Sequence, residues 1–110
     1  MKKTTASLIV LLSVGCASNV RIGQLLADPG HYDGKTVTTS GTVARSASVL
    51  NYGTYEISDG TGKITVVTTS GGAPRDNTRV AVTGKFHAAF TLGTATLTVL
   101  EEKDRRPLGP

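Results

Sequence analysis

Two stretches of this chain carry the same spaced pattern, Val37-x-Thr39-x-Gly41-x-Val43 and Val80-x-Val82-x-Gly84-x-Phe86. Alternation at period two places the named residues on one face of an extended strand, and their β-branched character suits a pleated, half-buried surface. A glycine in the middle of that inward face is costly, because it packs nothing and loses more backbone freedom on folding than any other residue. It is kept where the strand has to bend or where another backbone has to pass close. Two such strands in one short chain predict a sheet that curls onto itself.

The remaining residues supply the other strands of a small barrel. Thr36 to Ala44 reads as the first strand, with Val37, Thr39, Gly41 and Val43 inward. Tyr52 to Ser58 is the second, Asp59-Gly60-Thr61-Gly62 a hairpin turn, and Lys63 to Thr69 the third, with Ile64 and Val66 inward. Thr78 to Phe86 is the fourth strand and Thr94 to Leu100 the fifth. Arg45 to Asn51 reads as a polar loop, Ser70 to Asn77 as a Gly- and Pro-containing connection with no helical period, and His87 to Gly93 as a turn into the fifth strand. Ahead of the sheet, Ile22 to Asp28 has the apolar spacing of one or two helical turns, stopped by Asp28-Pro29-Gly30. Glu101 to Pro110 is charged and ends in proline, which predicts a flexible tail. The length of 110 residues sets one domain and one modest core. A hydrophobic fraction of 38%, 13 glycines and no tryptophan exclude a coiled coil and a polytopic membrane protein.

The first residues read as an address. Lys2 and Lys3 precede an apolar run from Ala6 to Val14, and Gly15-Cys16-Ala17 offers small residues for cleavage, the layout of a signal peptide over 1–15. The run is too short for a bilayer, which takes ~20 apolar residues. The sole cysteine closes it, and Leu12-Ser13-Val14-Gly15-Cys16 resembles the lipobox of bacterial lipoproteins. Ser13 stands where that family favours leucine. The resemblance implies cleavage after Gly15, lipidation of Cys16, and a tether over 16–21. It also implies anchoring in the bacterial cell envelope, with Ala17 directing the chain to the outer membrane of a Gram-negative source. An ordinary cleaved signal without lipid is the alternative. With no second cysteine, an exported domain has no internal disulfide and depends on its packing. Loss of residues 1–15 removes two lysines and lowers the formal charge from +4 to +2, so half of the basicity belongs to the signal.

From Ile22 to about Leu100 the chain resembles small OB-fold domains of exported bacterial proteins and of the tRNA anticodon-binding type. The resemblance rests on Ile22-x-x-Leu25-Leu26-x-x-Pro29-x-x-Tyr32-x-Gly34-Lys35-x-Val37 and Gly41-x-Val43. It continues through Tyr55-x-Ile57-x-Asp59-Gly60-Thr61-Gly62 and Val80-x-Val82-x-Gly84. It implies an all-β, five-stranded Greek-key barrel with a short N-terminal helical turn, and a ligand carried across the second and third strands between flanking loops. With Tyr55 and Ile57 inward, that face presents Thr54, Glu56 and Ser58 from the second strand, and Lys63, Thr65 and Val67 from the third. Arg45, Tyr52, Lys63 and Phe90 are its candidate contacts. The alternative is that Tyr52 and Phe90 plug the barrel ends while the cations solvate the surface.

Catalytic chemistry finds little to stand on. His31 and His87 form no metal-binding spacing, no nucleophile elbow is present, and Gly71-Gly72 lacks the context of a phosphate loop. Asp59 in its turn suits a hairpin cap, with a bound cation as the alternative. The expectation is a non-enzymatic binding or assembly module without cofactor, catalytic residue or metal. Its partners are the membrane through Cys16, and envelope proteins or a small or oligomeric ligand. The small mature charge, Glu56 and the exported address argue against nucleic acid. A single-stranded nucleic-acid or oligosaccharide binder is the alternative function.

Overall fold

The computed structural model describes residues 18–49, 52–69 and 72–109. Its elements are β1 (Ser18–Asn19), α1 (Ile22–Ala27), α2 (Pro29–Tyr32), β2 (Thr36–Val49), β3 (Tyr52–Ser58), β4 (Lys63–Thr68), β5 (Arg79–Leu92) and β6 (Ala95–Pro107). The sheet runs β1-β2-β3-β4-β6-β5, and β2 also pairs with β5, so the five long strands close into a barrel. β4 and β6 run parallel and the other long-strand pairs antiparallel, a Greek-key closure that leaves no open side to the sheet.

Closure explains the two glycines. β2 exchanges partners near its middle, pairing with β5 over Thr36–Thr42 and with β3 from Thr42 onward. A Cβ on Gly41 would sit 2.8 Å from the carbonyl oxygen of Ser58, and one on Gly84 would meet the backbone of Glu101. In both places a neighbouring main chain occupies the space of a side chain, as the inward glycines predict. Around them the interior is filled by Val37, Val43, Tyr55, Ile57, Ile64, Val66, Val80, Val82, Phe86 and Leu100, all buried.

The helical segment closes one end. Ile22 and Leu25 enter the core, and the turn between β3 and β4 docks on the start of α1. Arg21, at the N-cap, makes no side-chain cap, and the first two amides of α1 are taken by the β3–β4 turn instead. The N–H of Ile22 donates to Asp59 Oδ2 (3.0 Å) and that of Gly23 to Thr61 Oγ1 (2.9 Å). Asp59 Oδ1 meanwhile accepts from the N–H and hydroxyl of Thr61 and the N–H of Gly62. Asp59 thus caps both its own hairpin and the helix. Partial burial alone would raise its carboxyl, but these hydrogen bonds outweigh that and hold it below the usual range.

Several boundaries differ from the sequence reading. The expected loop after Ala44 is strand through Val49, with a bulge between Ala44 and Ala47 that absorbs the loss of period. The expected turn at His87 to Gly93 is the outer part of a long β5–β6 hairpin, again broken by a bulge, between His87 and Phe90. The expected tail over 101–110 is strand as far as Pro107, because Val80–Lys85 needs a backbone partner and β6 provides it, Val80 opposite Pro107 and Lys85 opposite Glu101. Within the expected tether 16–21, Ser18 and Asn19 pair with Val37 and Thr38, and Val20 is part of the core. Pro29 does stop α1, but it also opens α2, where a missing N–H costs nothing. Val67, expected on the exposed face, is buried. The expected signal peptide and its Cys16 lie outside the described residues.

Candidate ligand face

The residues of β3 and β4 that alternate with the core-facing ones fall opposite one another in register: Thr54 with the buried Val67, Glu56 with Thr65, Ser58 with Lys63. The bulge in β2 brings Arg45 to this face. Its φ of 53° is a left-handed conformation that a long side chain rarely adopts, and it is held there from outside the strand. The Ser46 N–H donates to Asp76 Oδ1 (3.0 Å), the Ser46 hydroxyl to the Pro74 carbonyl (2.5 Å), and the Asn77 N–H to the Val43 carbonyl (2.7 Å). The segment expected to be a featureless connection is therefore the brace of the bulge. The bond from the Ser46 N–H is also the chief reason the Asp76 carboxyl lies below its ordinary range.

Arg45, Thr54, Tyr55, Glu56 and Thr65 together line a shallow depression of about 230 Å³. Lys63 is exposed two residues along β4 from Thr65. Tyr52, with the outward parity of Thr54 and Glu56, is 43% exposed at the start of β3. Three of the four predicted contact residues thus share one face. Phe90 is set apart. It lies on the β5–β6 hairpin opposite Leu97 and packs against His87 with ring centroids 5.1 Å apart, while His87 Nε2 pairs with Glu101 Oε1 at 2.8 Å. That bond is the leading reason the Glu101 carboxyl is lowered. Neither aromatic belongs to the core, which Tyr55 and Phe86 fill.

Behind the depression lies a polar network that sequence reasoning missed. The Tyr55 hydroxyl donates to Glu102 Oε1 (2.5 Å), the Thr68 hydroxyl to Glu102 Oε2 (3.0 Å), and Arg105 Nη1 to Glu102 Oε1 (3.1 Å) and to the Gly72 carbonyl (3.3 Å). The guanidinium also lies 5.6 Å from the centroid of the Tyr55 ring. The Glu102 side chain is only 5% exposed. Burial first, and the accepting carboxylate second, push the Tyr55 hydroxyl well above its ordinary value, so it remains a neutral donor. No pattern in Glu101–Arg106 marks these residues as interior, since a run of charges ordinarily means solvent.

As chemistry, the face offers donors, acceptors and both signs of charge on an open surface, an arrangement for recognition. Among the described residues no group of three or more His, Cys, Asp and Glu could hold a metal ion.

No family model and no curated protein matches the sequence. Solved structures do. A chain assigned as an aspartyl-tRNA synthetase from Leishmania major Friedlin is similar with a TM-score of 0.66 at 12% identity, over 93% of this chain and 23% of that one. The asparaginyl-tRNA synthetase of Pyrococcus horikoshii matches at 0.65 and 19% identity, over 81% of this chain and 22% of that one. A replication protein A heterotrimer bound to single-stranded DNA matches at 0.55 and 21%, over 68% of this chain and 58% of that one. This chain spans under a quarter of either synthetase chain. At such identities the likeness speaks for architecture, and with the closed five-stranded barrel it makes this an all-β protein of the OB fold.

Proposed function

We propose that the chain is a non-catalytic OB-fold binding module whose ligand lies across β3 and β4. The observation that carries this reading is the depression formed by Arg45, Thr54, Glu56 and Thr65, with Arg45 held in a left-handed bulge at its rim. Single-stranded nucleic acid is the ligand class to test first, because one structural neighbour is a replication protein A bound to single-stranded DNA. Arg45 and Lys63 would meet phosphates and Tyr52 would offer a ring for stacking, which contributes ~1–3 kcal/mol per base. Glu56 opposes this ligand and sets a weak affinity. Titration of labelled single-stranded DNA at two salt concentrations tests it. Saturable, salt-sensitive binding that Tyr52→Ala and Arg45→Gln weaken is expected, and absence of binding at low salt removes nucleic acid as the ligand.

The N-terminal sequence favours a second reading of where the module works: anchored through lipidated Cys16 in a bacterial envelope, binding an envelope protein or an oligomeric ligand on the same face. Mass spectrometry of the membrane fraction is expected to find a chain cleaved after Gly15 and acylated on Cys16. A chain that keeps residues 1–15, or a Cys16→Ser variant that still partitions to membrane, would overturn it. Capture from solubilised membranes with wild type and Arg45→Glu then tests whether the partner uses the β3–β4 face.

A further inference from the structure

A larger groove, about 680 Å³, lies toward the α1 end of the barrel, away from the depression at Arg45. One wall is Asn19, Val20, Arg21 and Gln24; the other is Arg79 at the start of β5. Ser40 and Thr42 of β2 and Ser58 of β3 lie between them.

Four observations give it a chemistry. Arg21 and Arg79 are exposed, and among the described residues neither is in an ion pair. The carboxylate in the lining, Asp59, has both oxygens committed to the α1 and hairpin donors. The first two amides of α1 are taken by that same turn, so the positive character comes from the two guanidinium groups. The Ser40, Thr42 and Ser58 hydroxyls of the lining add neutral donors.

We propose that this groove binds a phosphate ester, its oxyanion held between Arg21 and Arg79 and its remaining oxygens by the Ser40, Thr42 and Ser58 hydroxyls. Guanidinium groups match phosphate geometry with paired donors, and the hydroxyls add neutral ones. The volume is that of a small-molecule site, larger than a bare ion needs, so the phosphate carries an organic group. The ester is either a soluble metabolite or the headgroup of an anionic phospholipid. The groove begins at Asn19, three residues after Cys16, so the chain between them spans at most about 11 Å and a lipidated Cys16 would set the groove at headgroup level. The phosphate chemistry is the same in both cases and does not depend on anchoring or on the β3–β4 face.

The test follows the backbone amides of Ser40, Thr42 and Ser58 by NMR in the chain from residue 16. The probes are inorganic phosphate, glycerol 3-phosphate, and vesicles of phosphatidylglycerol or of phosphatidylcholine. Expected are shifts with glycerol 3-phosphate larger than with inorganic phosphate, or selective broadening with phosphatidylglycerol vesicles, the first assigning a soluble ester and the second a headgroup. Arg21→Gln and Arg79→Gln should each weaken the effect about tenfold, while Arg75→Gln, outside the groove, should leave it unchanged. Both arginines are exposed, so an unchanged amide spectrum elsewhere verifies the fold of each variant. No response to any probe, or a response in Arg21→Gln and Arg79→Gln as strong as in the unsubstituted chain, would overturn the proposal. A DNA titration that fails while these amides respond would remove single-stranded DNA as the β3–β4 ligand and leave this groove standing.

Discussion

At Gly84 one added carbon would lie inside the contact distance of the Glu101 backbone, and main chain in a barrel wall cannot swing aside as a side chain end can. Gly84→Ala should therefore destabilise the protein by about 3 kcal/mol, the upper part of the range for overpacking. Gly30→Ala is the control, because nothing lies within 4 Å of its Cβ position and it sits in α2, where alanine gains about 0.5–1 kcal/mol over glycine. Opposite shifts in the urea midpoint check both, and equal small effects would contradict the close approach. Tyr55 permits a second test. Removing its hydroxyl leaves the buried Glu102 carboxylate one donor short, so Tyr55→Phe should cost about 1.5–3 kcal/mol, as for a hydrogen bond to a charged group. Adding Glu102→Gln should recover part of this, giving a coupling measurable in a double-mutant cycle.

The elements show which of these features could be read in advance. The inward glycines, the alternation of β3 and the Asp59 turn were legible because each has a local physical cause: a period, a backbone requirement, a turn. The bulges at Arg45 and His87 were not, because one extra residue breaks the period and leaves a strand looking like a loop. Nor was the reach of β6, whose charges Glu102 and Arg105 face a partner network that only the closed barrel assembles. Of the ligand face, Thr54, Glu56 and Lys63 followed from alternation, whereas its brace at Pro74–Asn77 and the groove at Arg21 and Arg79 depend on contacts between distant segments. The docking of the β3–β4 turn on α1 makes its own prediction. The Asp59 carboxyl is lowered in the folded state, so its contribution is present above the unfolded value near 3.9 and is lost as pH falls through the folded value. Thermal melts from about pH 6 down to about pH 2 should show stability falling on the acid side. Asp59→Asn removes the titration and keeps one of the two accepting oxygens, so it should lower stability near neutral pH and flatten that fall. An unchanged acid limb in the variant would assign the effect to Glu101 and Asp76, whose carboxyls are lowered as well.

For the whole molecule the question is how many of its cations a ligand meets at once. Each phosphate neutralised on a single strand contributes about −0.7 to the slope of log affinity against log salt. If DNA lies only across β3 and β4, Arg45 and Lys63 are the two cations engaged and the slope should be about −1.4. If the strand continues along β2 into the groove at Arg21 and Arg79, four cations are engaged and the slope steepens to about −2.8. Arg45→Gln should make either slope shallower by about 0.7, and Arg79→Gln only the steeper one. Glu56→Gln should raise affinity in both cases by the few tenths to ~1 kcal/mol that a surface charge contributes. A slope near zero, with affinity unmoved by Arg45→Gln, would mean that the face does not read a polyanion. The mixed charge of Arg45 and Glu56 would then suit a ligand carrying both signs, as a peptide segment does.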